Sequence, residues 1–412
     1  MVNAKLVIST SFTKNIKLCS RMTKTLYLDH QATTPVENQV LTAMSEYWGK
    51  SFGNPHSNGH VIGWNAEKAI NRAQQQIADA IGAERDEIVF TSGATESNNL
   101  AVYALCEMGK NSHERRQILV SPLEHKCVLN AVSYWAEKFD YEVVLTQTDD
   151  VGVVDLKWLE GALETPTLFC SIGYVNNEIG TIQPLEKISE LLWQKGVLFH
   201  SDCAQAPKTL SCDQLAHYVD LASFSGHKIG GPPGIGALFI SGDLQEQFTS
   251  LIQGGGQQLG LRSGTLPLPL CVGLGAAFDL LNKDDFEEGV RELSRLRDYF
   301  YEQLRLKDLN VILNGPALDE RHAGNLNITF NGTKALDLLM AAQPSLAAST
   351  GSACGSGQIE PSHVLMALGF SKERAESSLR FSFSRQNTFE ELDAAVQILS
   401  EKIDFLNSMA VD

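Results

Sequence analysis

An α/β fold is predicted for this chain, with a mainly parallel central sheet in a large domain and a smaller α+β domain beside it. Three observations carry that expectation. Between Leu41 and Gly275, short apolar runs alternate with stretches of helical periodicity, the pattern of strands covered on both faces by crossover helices. Thr95, His125, Asn177, Asp202 and Lys228, all polar residues with chemical capacity, each lie just past such a run, and open α/β sheets bind ligands at the carboxyl ends of their strands. The chain has 412 residues, a length that usually divides into two cores.

The elements follow in order. Residues 1–25 hold Lys5, Lys14, Lys17, Arg21 and Lys24, many Ser and Thr, and no acid precedes Asp29. This segment reads as an extension to the folded part or an upstream start ahead of Met22, with an organelle transit peptide as the alternative. A helical stretch from Glu67 to Ala80 precedes candidate strands at Ile88 to Phe90, Ile118 to Val120, Leu168 to Val175, Val197 to His200, Leu221 to Phe224 and Ile235 to Ile240. These define the large domain, 41–275. Helical stretches Phe286 to Leu304 and Glu390 to Leu406, with strands Asn325 to Phe330 and Leu379 to Phe383, define the small domain, 276–412 together with 26–40.

Three segments carry chemistry. Ser223-Phe224-Ser225-Gly226-His227-Lys228 ends an apolar strand on a lysine. That placement suits an amine that attacks a carbonyl cofactor, or a solvated lysine in a turn. In Phe199-His200-Ser201-Asp202-Cys203-Ala204-Gln205 a strand ends on a carboxylate, fit either to hold a pyridinium nitrogen protonated or to cap a helix. The run Phe90-Thr91-Ser92-Gly93-Ala94-Thr95-Glu96-Ser97 is a strand, a glycine turn and a helix start, an anion site suited to a phosphate. Its glycine spacing matches neither a dinucleotide fingerprint nor a P-loop.

Composition narrows the function classes. A net charge of -16 disfavours nucleic acid as a direct partner, since phosphate backbones need a basic face. No apolar run reaches membrane-spanning length. Eight cysteines occur with no C-x-x-C pair, which suits a reducing compartment, and a cytoplasmic location is expected unless residues 1–25 direct the chain to an organelle.

Six motifs run in one order: Tyr27-Leu28-Asp29-His30-Gln31-Ala32-Thr33-Thr34-Pro35, Phe52-Gly53-Asn54-Pro55, Thr91-Ser92-Gly93-Ala94-Thr95-Glu96-Ser97, Val175-Asn176-Asn177-Glu178-Ile179-Gly180, Arg262-Ser263-Gly264-Thr265 and Gly351-Ser352-Ala353-Cys354. In these, from Leu26 to Ile403, the chain resembles the pyridoxal-phosphate-dependent cysteine desulfurases of iron-sulfur cluster biogenesis, within fold type I of the aminotransferase-like enzymes. The resemblance implies pyridoxal 5'-phosphate on Lys228, with Asp202 at the ring nitrogen and His125 stacked on the ring as a proton shuttle. Gln205 and Asn177 would hydrogen-bond near the phenolic oxygen or the substrate carboxylate. Ala94, Thr95, Ser225, Gly226 and His227 would hold the phosphate, joined by Thr265 from the second subunit of a homodimer. Arg380, opposite in alternation to Leu379 and Phe381, would clamp the α-carboxylate of L-cysteine.

Cys354, flanked by Gly351, Gly355 and Gly357, suits a loop that reaches into a cleft. By resemblance it takes the substrate sulfur as a persulfide, leaving L-alanine, and passes it to a sulfur-acceptor protein such as an iron-sulfur scaffold or a carrier. It can also contact iron of a nascent cluster transiently. Ile229-Gly230-Gly231-Pro232-Pro233 and the pair Gln258-Leu259 depart from the family's usual wording, which bears on cleft charge, turnover and partner choice. A selenocysteine lyase would share the cofactor site, an aminotransferase would not need Cys354, and a degenerate scaffold homologue would have lost Lys228 or Asp202.

Overall fold

The computed structural model describes residues 25–282, 285–351 and 360–409. The chain enters through a short strand, β1 (Leu26–Tyr27). Seven strands then form the large sheet: β2 (Ile88–Thr91), β3 (Gln117–Val120), β4 (Glu142–Leu145), β5 (Thr167–Ser171), β6 (Leu198–Asp202), β7 (Leu221–Ser225) and β8 (Gly236–Ile240), in the order β2-β8-β7-β6-β5-β3-β4. Pairing is parallel from β7 to β4 and antiparallel where β8 meets β7 and β2.

Period-two alternation assigns the side chains to two cores. Phe90, Phe224 and Phe239 point to one face, packed under helices Val61–Ile81 and Leu268–Leu281. Val89, Leu221 and Leu238 point to the other, under helices Ala94–Gly109 and Lys126–Phe139. Such doubly buried strands are continuous apolar runs, which made most of them readable. Strand β4 went unread because it is a largely exposed edge strand. The segment expected as one strand from Leu168 to Val175 stops at Ser171. Beyond it the backbone crosses the strand ends, Ile172 and Tyr174 donating to the carbonyls of His200 and Asp202.

A second body of structure is built on β9 (Val311–Leu313), β10 (Asn325–Phe330), β11 (Leu346–Ala347) and β12 (Ser378–Ser382). Strands β12-β10-β9 are antiparallel, and β1 pairs in parallel with β11. Their core, Leu326, Ile328, Phe330, Leu379 and Phe381, packs against helices Phe286–Leu306 and Phe389–Met409 and takes in Leu28. Residue Asp29 bridges to Ser382, so the chain crosses from this body directly onto the sheet ends.

Candidate active site

The carboxyl ends of β2, β3, β5, β6 and β7 open into one cavity of about 490 Å³. At β2, Gly93 adopts φ +148, and a Cβ there would sit 3.6 Å from Ser225 Oγ; glycine makes the turn and lets the helix start face the cavity. Among the described residues no acceptor meets the Ala94 and Thr95 N–H groups, both at the start of the helix Ala94–Gly109. These are free donors with the helix dipole behind them. Behind the turn, Ser92 N–H donates to Glu96 (2.7 Å), and Arg262 Nε reaches the same carboxylate (2.7 Å). Burial alone would raise the Glu96 carboxyl, yet these bonds bring it below its ordinary value.

Past β3, His125 caps the helix Lys126–Phe139 and lines the cavity. Cys127 N–H donates to its Nδ1 at 3.2 Å, which assigns the neutral ring's proton to Nε2. Burial, then Lys228 and Lys126 against the opposing Asp202, keeps the imidazole pKa below normal, so the ring is neutral near pH 7. The Cys127 thiol lies 2.9 Å from Nδ1 and is pushed by burial to about 12. Neighbouring Glu124 is buried, accepts from Gly173 N–H, and is raised by desolvation and Asp202 to about 8.

Asp202 ends β6. Its Oδ1 accepts from Ala204 N–H (2.9 Å) and its Oδ2 from Asn98 Nδ2 (2.8 Å), leaving the remaining lone pairs toward the cavity. Asn98 is fully buried, and its own Oδ1 has no partner among the described residues. Lys228 follows β7 in a single 3₁₀ turn. Its Nζ donates to the carbonyls of Gln31 and Ala32 (3.0 Å for the latter). Burial first, then Arg380, outweighs Asp202 and Asp29 and lowers the ammonium pKa to about 8. Gln205 Nε2 donates to the same Gln31 carbonyl (3.0 Å), and His227 Nδ1 meets Thr33 Oγ1 (3.2 Å).

Most residues singled out from the sequence therefore share this one cavity: Ala94, Thr95, His125, Asn177, Asp202, Gln205, Ser225, His227 and Lys228 line it. Gly226 does not; a Cβ on it would meet Pro232 O at 2.7 Å, so its part is the turn. Thr265 is exposed and away from the cavity of its own chain. Arg380 stands behind the wall, 5% exposed, donating from Nη1 to Asn177 O (2.9 Å) and from Nη2 to Asp29 Oδ1 (2.7 Å), with Nε unpartnered among the described residues. Cys354 lies outside the described residues, and among those described no His, Cys, Asp and Glu group could hold a metal ion.

Two departures in wording acquire places. Gln258 bonds both the N–H (2.6 Å) and the C=O (3.0 Å) of Phe90, closing the free edge of β2 rather than charging the cavity. Gly230 has φ +79, and a Cβ there would meet Glu37 Cγ at 2.7 Å, whereas Pro233 does line the cavity. Sequence reasoning missed Asn98, Cys127 and Asp29 as parts of the site. The available signal was Asn98 one helical turn after Thr95, on the same face.

Residues 26–395 match the family model described as aminotransferase class-V. A cysteine desulfurase IscS of Rickettsia rickettsii (strain Iowa) is 41% identical over 391 residues, covering 95% of this chain and 94% of that protein. Among solved structures, a NifS-like protein superposes with a TM-score of 0.84 at 31% identity, over 92% of this chain and 99% of its own. SspA in complex with cysteine superposes with a TM-score of 0.76 at 34% identity, over 88% and 99%.

Proposed function

This chain belongs to the aminotransferase class-V family, and from that premise we propose that the cavity carries out cysteine desulfuration with pyridoxal phosphate as cofactor. The observation that carries the reading is the convergence of a lysine lowered to about 8, a hydrogen-bonded carboxylate and two free helix N–H groups on one cavity. The donor set fits the cofactor. Ala94 and Thr95 amides, Thr95 and Ser225 hydroxyls and the His227 ring suit a phosphate, Asp202 suits a ring N–H, and Gly93 leaves the approach clear. When bound, pyridoxal phosphate supplies an aldehyde for an amine and an electron-withdrawing ring that acidifies the substrate's α-C–H.

The chain's own groups do the rest. At pH 7.5 a lysine of pKa about 8 is about one quarter neutral, where an ordinary lysine is neutral about once in a thousand; Lys228 therefore has a free electron pair to bond with or to take a proton. Asn98 and Ala204 orient Asp202, whose carboxyl would meet the ring N–H. His125, neutral and protonated at Nε2, can give that proton and recover one from a thiol. Arg380, held by Asn177 and Asp29 just behind the cavity wall, would serve the α-carboxylate of L-cysteine on turning its guanidinium into the cavity. Cys354 takes the sulfur: the substrate C–S bond breaks with its pair kept by carbon, an S–S bond forms, and a proton completes L-alanine. L-cysteine and one Cys354 thiol give L-alanine and one persulfide, with no outside oxidant.

The working unit is a homodimer in which Thr265 completes the neighbour's phosphate site. Its exposure supports this, as do the exposed Trp48, Phe52, Val61 and Trp64, apolar surface of the kind that subunit contacts cover. The persulfide passes to an acceptor protein in a reducing compartment, the cytoplasm; the free thiols Cys106, Cys127, Cys170, Cys203, Cys212 and Cys271 accord with that setting. No described helix is long and apolar enough to cross a membrane. The test is direct: purified protein given L-cysteine and a reductant forms alanine and sulfide in equal amounts, and borohydride fixes the cofactor to Lys228. Absence of alanine, or an adduct on another lysine, refutes the reading.

A further inference from the structure

Glu178 is buried, 2% exposed, in the turn that follows Tyr174 and Val175. Main-chain bonds pin it on three sides: its N–H donates to Asn176 Oδ1 (2.9 Å), and its carbonyl accepts from Asn325 Nδ2 and Asn327 Nδ2 (3.1 Å each). Its carboxyl faces two segments remote in sequence. Ser362 Oγ donates to Oε2, and the same hydroxyl accepts from Leu365 N–H at 3.1 Å. Against the same oxygen, Gly351, at φ +73, packs so closely that a Cβ would lie 2.5 Å from Oε2. Ser349, two residues earlier, is bridged to Arg380 through both main-chain bonds (3.1 and 2.7 Å).

One carboxyl thus touches the residues that lead into and out of the stretch containing Cys354, while the preceding residue, Asn177, receives Arg380. The outgoing side is further held by His363 Nε2 on the Glu124 carbonyl (2.9 Å) and by Val364 and Leu365 packed on Leu123 and Ile179. Packing alone does not call for a carboxyl, because burying one is costly unless its bonds are needed. We infer that Glu178 is a positioning residue for sulfur transfer, bonding the stem that follows the Cys354 segment and buttressing the stem that precedes it against the loop that meets the substrate-carboxylate arginine. Glycine at 351 is part of the device, since any side chain would displace the carboxyl. Burial raises the Glu178 carboxyl to about 7, so it can donate as well as accept across the neutral range.

The inference rests on the desulfurase reading with Cys354 as acceptor. Its test uses the cofactor-loaded, full-length enzyme and the variants Glu178→Ala, Glu178→Gln and Ser362→Ala. Misplacing a reacting group by about 1 Å costs up to about a hundredfold, so Glu178→Ala is expected to lower kcat at least about tenfold. KM for cysteine, cofactor content and the first spectral change on mixing with cysteine stay within about twofold. Glu178→Gln, whose amide oxygen still accepts from Ser362, recovers most of the rate, and Ser362→Ala shares the kcat defect. Unchanged kcat in Glu178→Ala overturns the inference, as does a parallel loss of cofactor or of the first spectral change, which would make Glu178 part of the cavity floor. If Glu178→Ala does not fold, a wild-type kcat in Ser362→Ala overturns it. Wild-type enzyme that yields no alanine takes down the desulfurase reading itself, a separate result.

Discussion

Replacing Lys228 by Met should stabilise the cofactor-free protein and remove a specific pH dependence. The Lys228 ammonium is lowered from 10.5 to about 8, by burial and then by Arg380, and at 1.36 kcal/mol per pH unit this is at most about 3 kcal/mol carried against folding at pH 7. The sign follows from proton binding. Between about pH 8 and 10.5 the unfolded chain keeps a proton that the folded chain has lost, so wild-type stability gains about 1.4 kcal/mol per pH unit across that window. Below pH 8 both forms are charged and the full penalty persists. Methionine keeps the stem and drops the charge, so urea-unfolding midpoints of the two cofactor-free proteins, taken from pH 7 to 10, should converge as pH rises, the variant being the more stable at pH 7. Parallel curves, or a less stable variant at pH 7, would show that the bonds to the Gln31 and Ala32 carbonyls outweigh desolvation and would refute the account of a primed amine.

Arg380→Ala should raise KM for cysteine at least about tenfold with cofactor content near normal, as expected for loss of a two-pronged carboxylate contact; unchanged kinetics would move the clamp elsewhere. Cys354→Ala should keep the cofactor and its spectral response to cysteine yet release no sulfide, because Cys127, the thiol that lines the cavity among the described residues, is held protonated with a pKa of about 12 and makes a poor nucleophile; normal sulfide release would name another acceptor. Co-expressed Lys228→Ala and a Thr265 variant too weak to hold cofactor should regain activity in heterodimers, since one site then has both residues. Inactive, folded heterodimers, or an active monomer, would refute the shared site.

What the sequence by itself determined is local. Apolar runs buried on both faces announce their strands, glycine at 93 announces a turn, and Lys228, Asp202 and His125 each follow such a run, so their place at strand ends was readable from the sequence. Conformational preference and burial act over a few residues, and these features need no more than that. Tertiary structure decided what depends on residues far apart along the chain. The antiparallel insertion of β8 between β2 and β7 follows from pairing that no local pattern encodes. Asn98 serves Asp202 across 104 positions, and Arg380 is aimed by Asp29 across 351. In the sequence Glu178 is one acid within Asn176-Asn177-Glu178-Ile179-Gly180; folding sets Gly351 and Ser362 against its carboxyl. A hydrogen bond is short-ranged and directional, so its partners exist as partners only once the backbone between them has been folded.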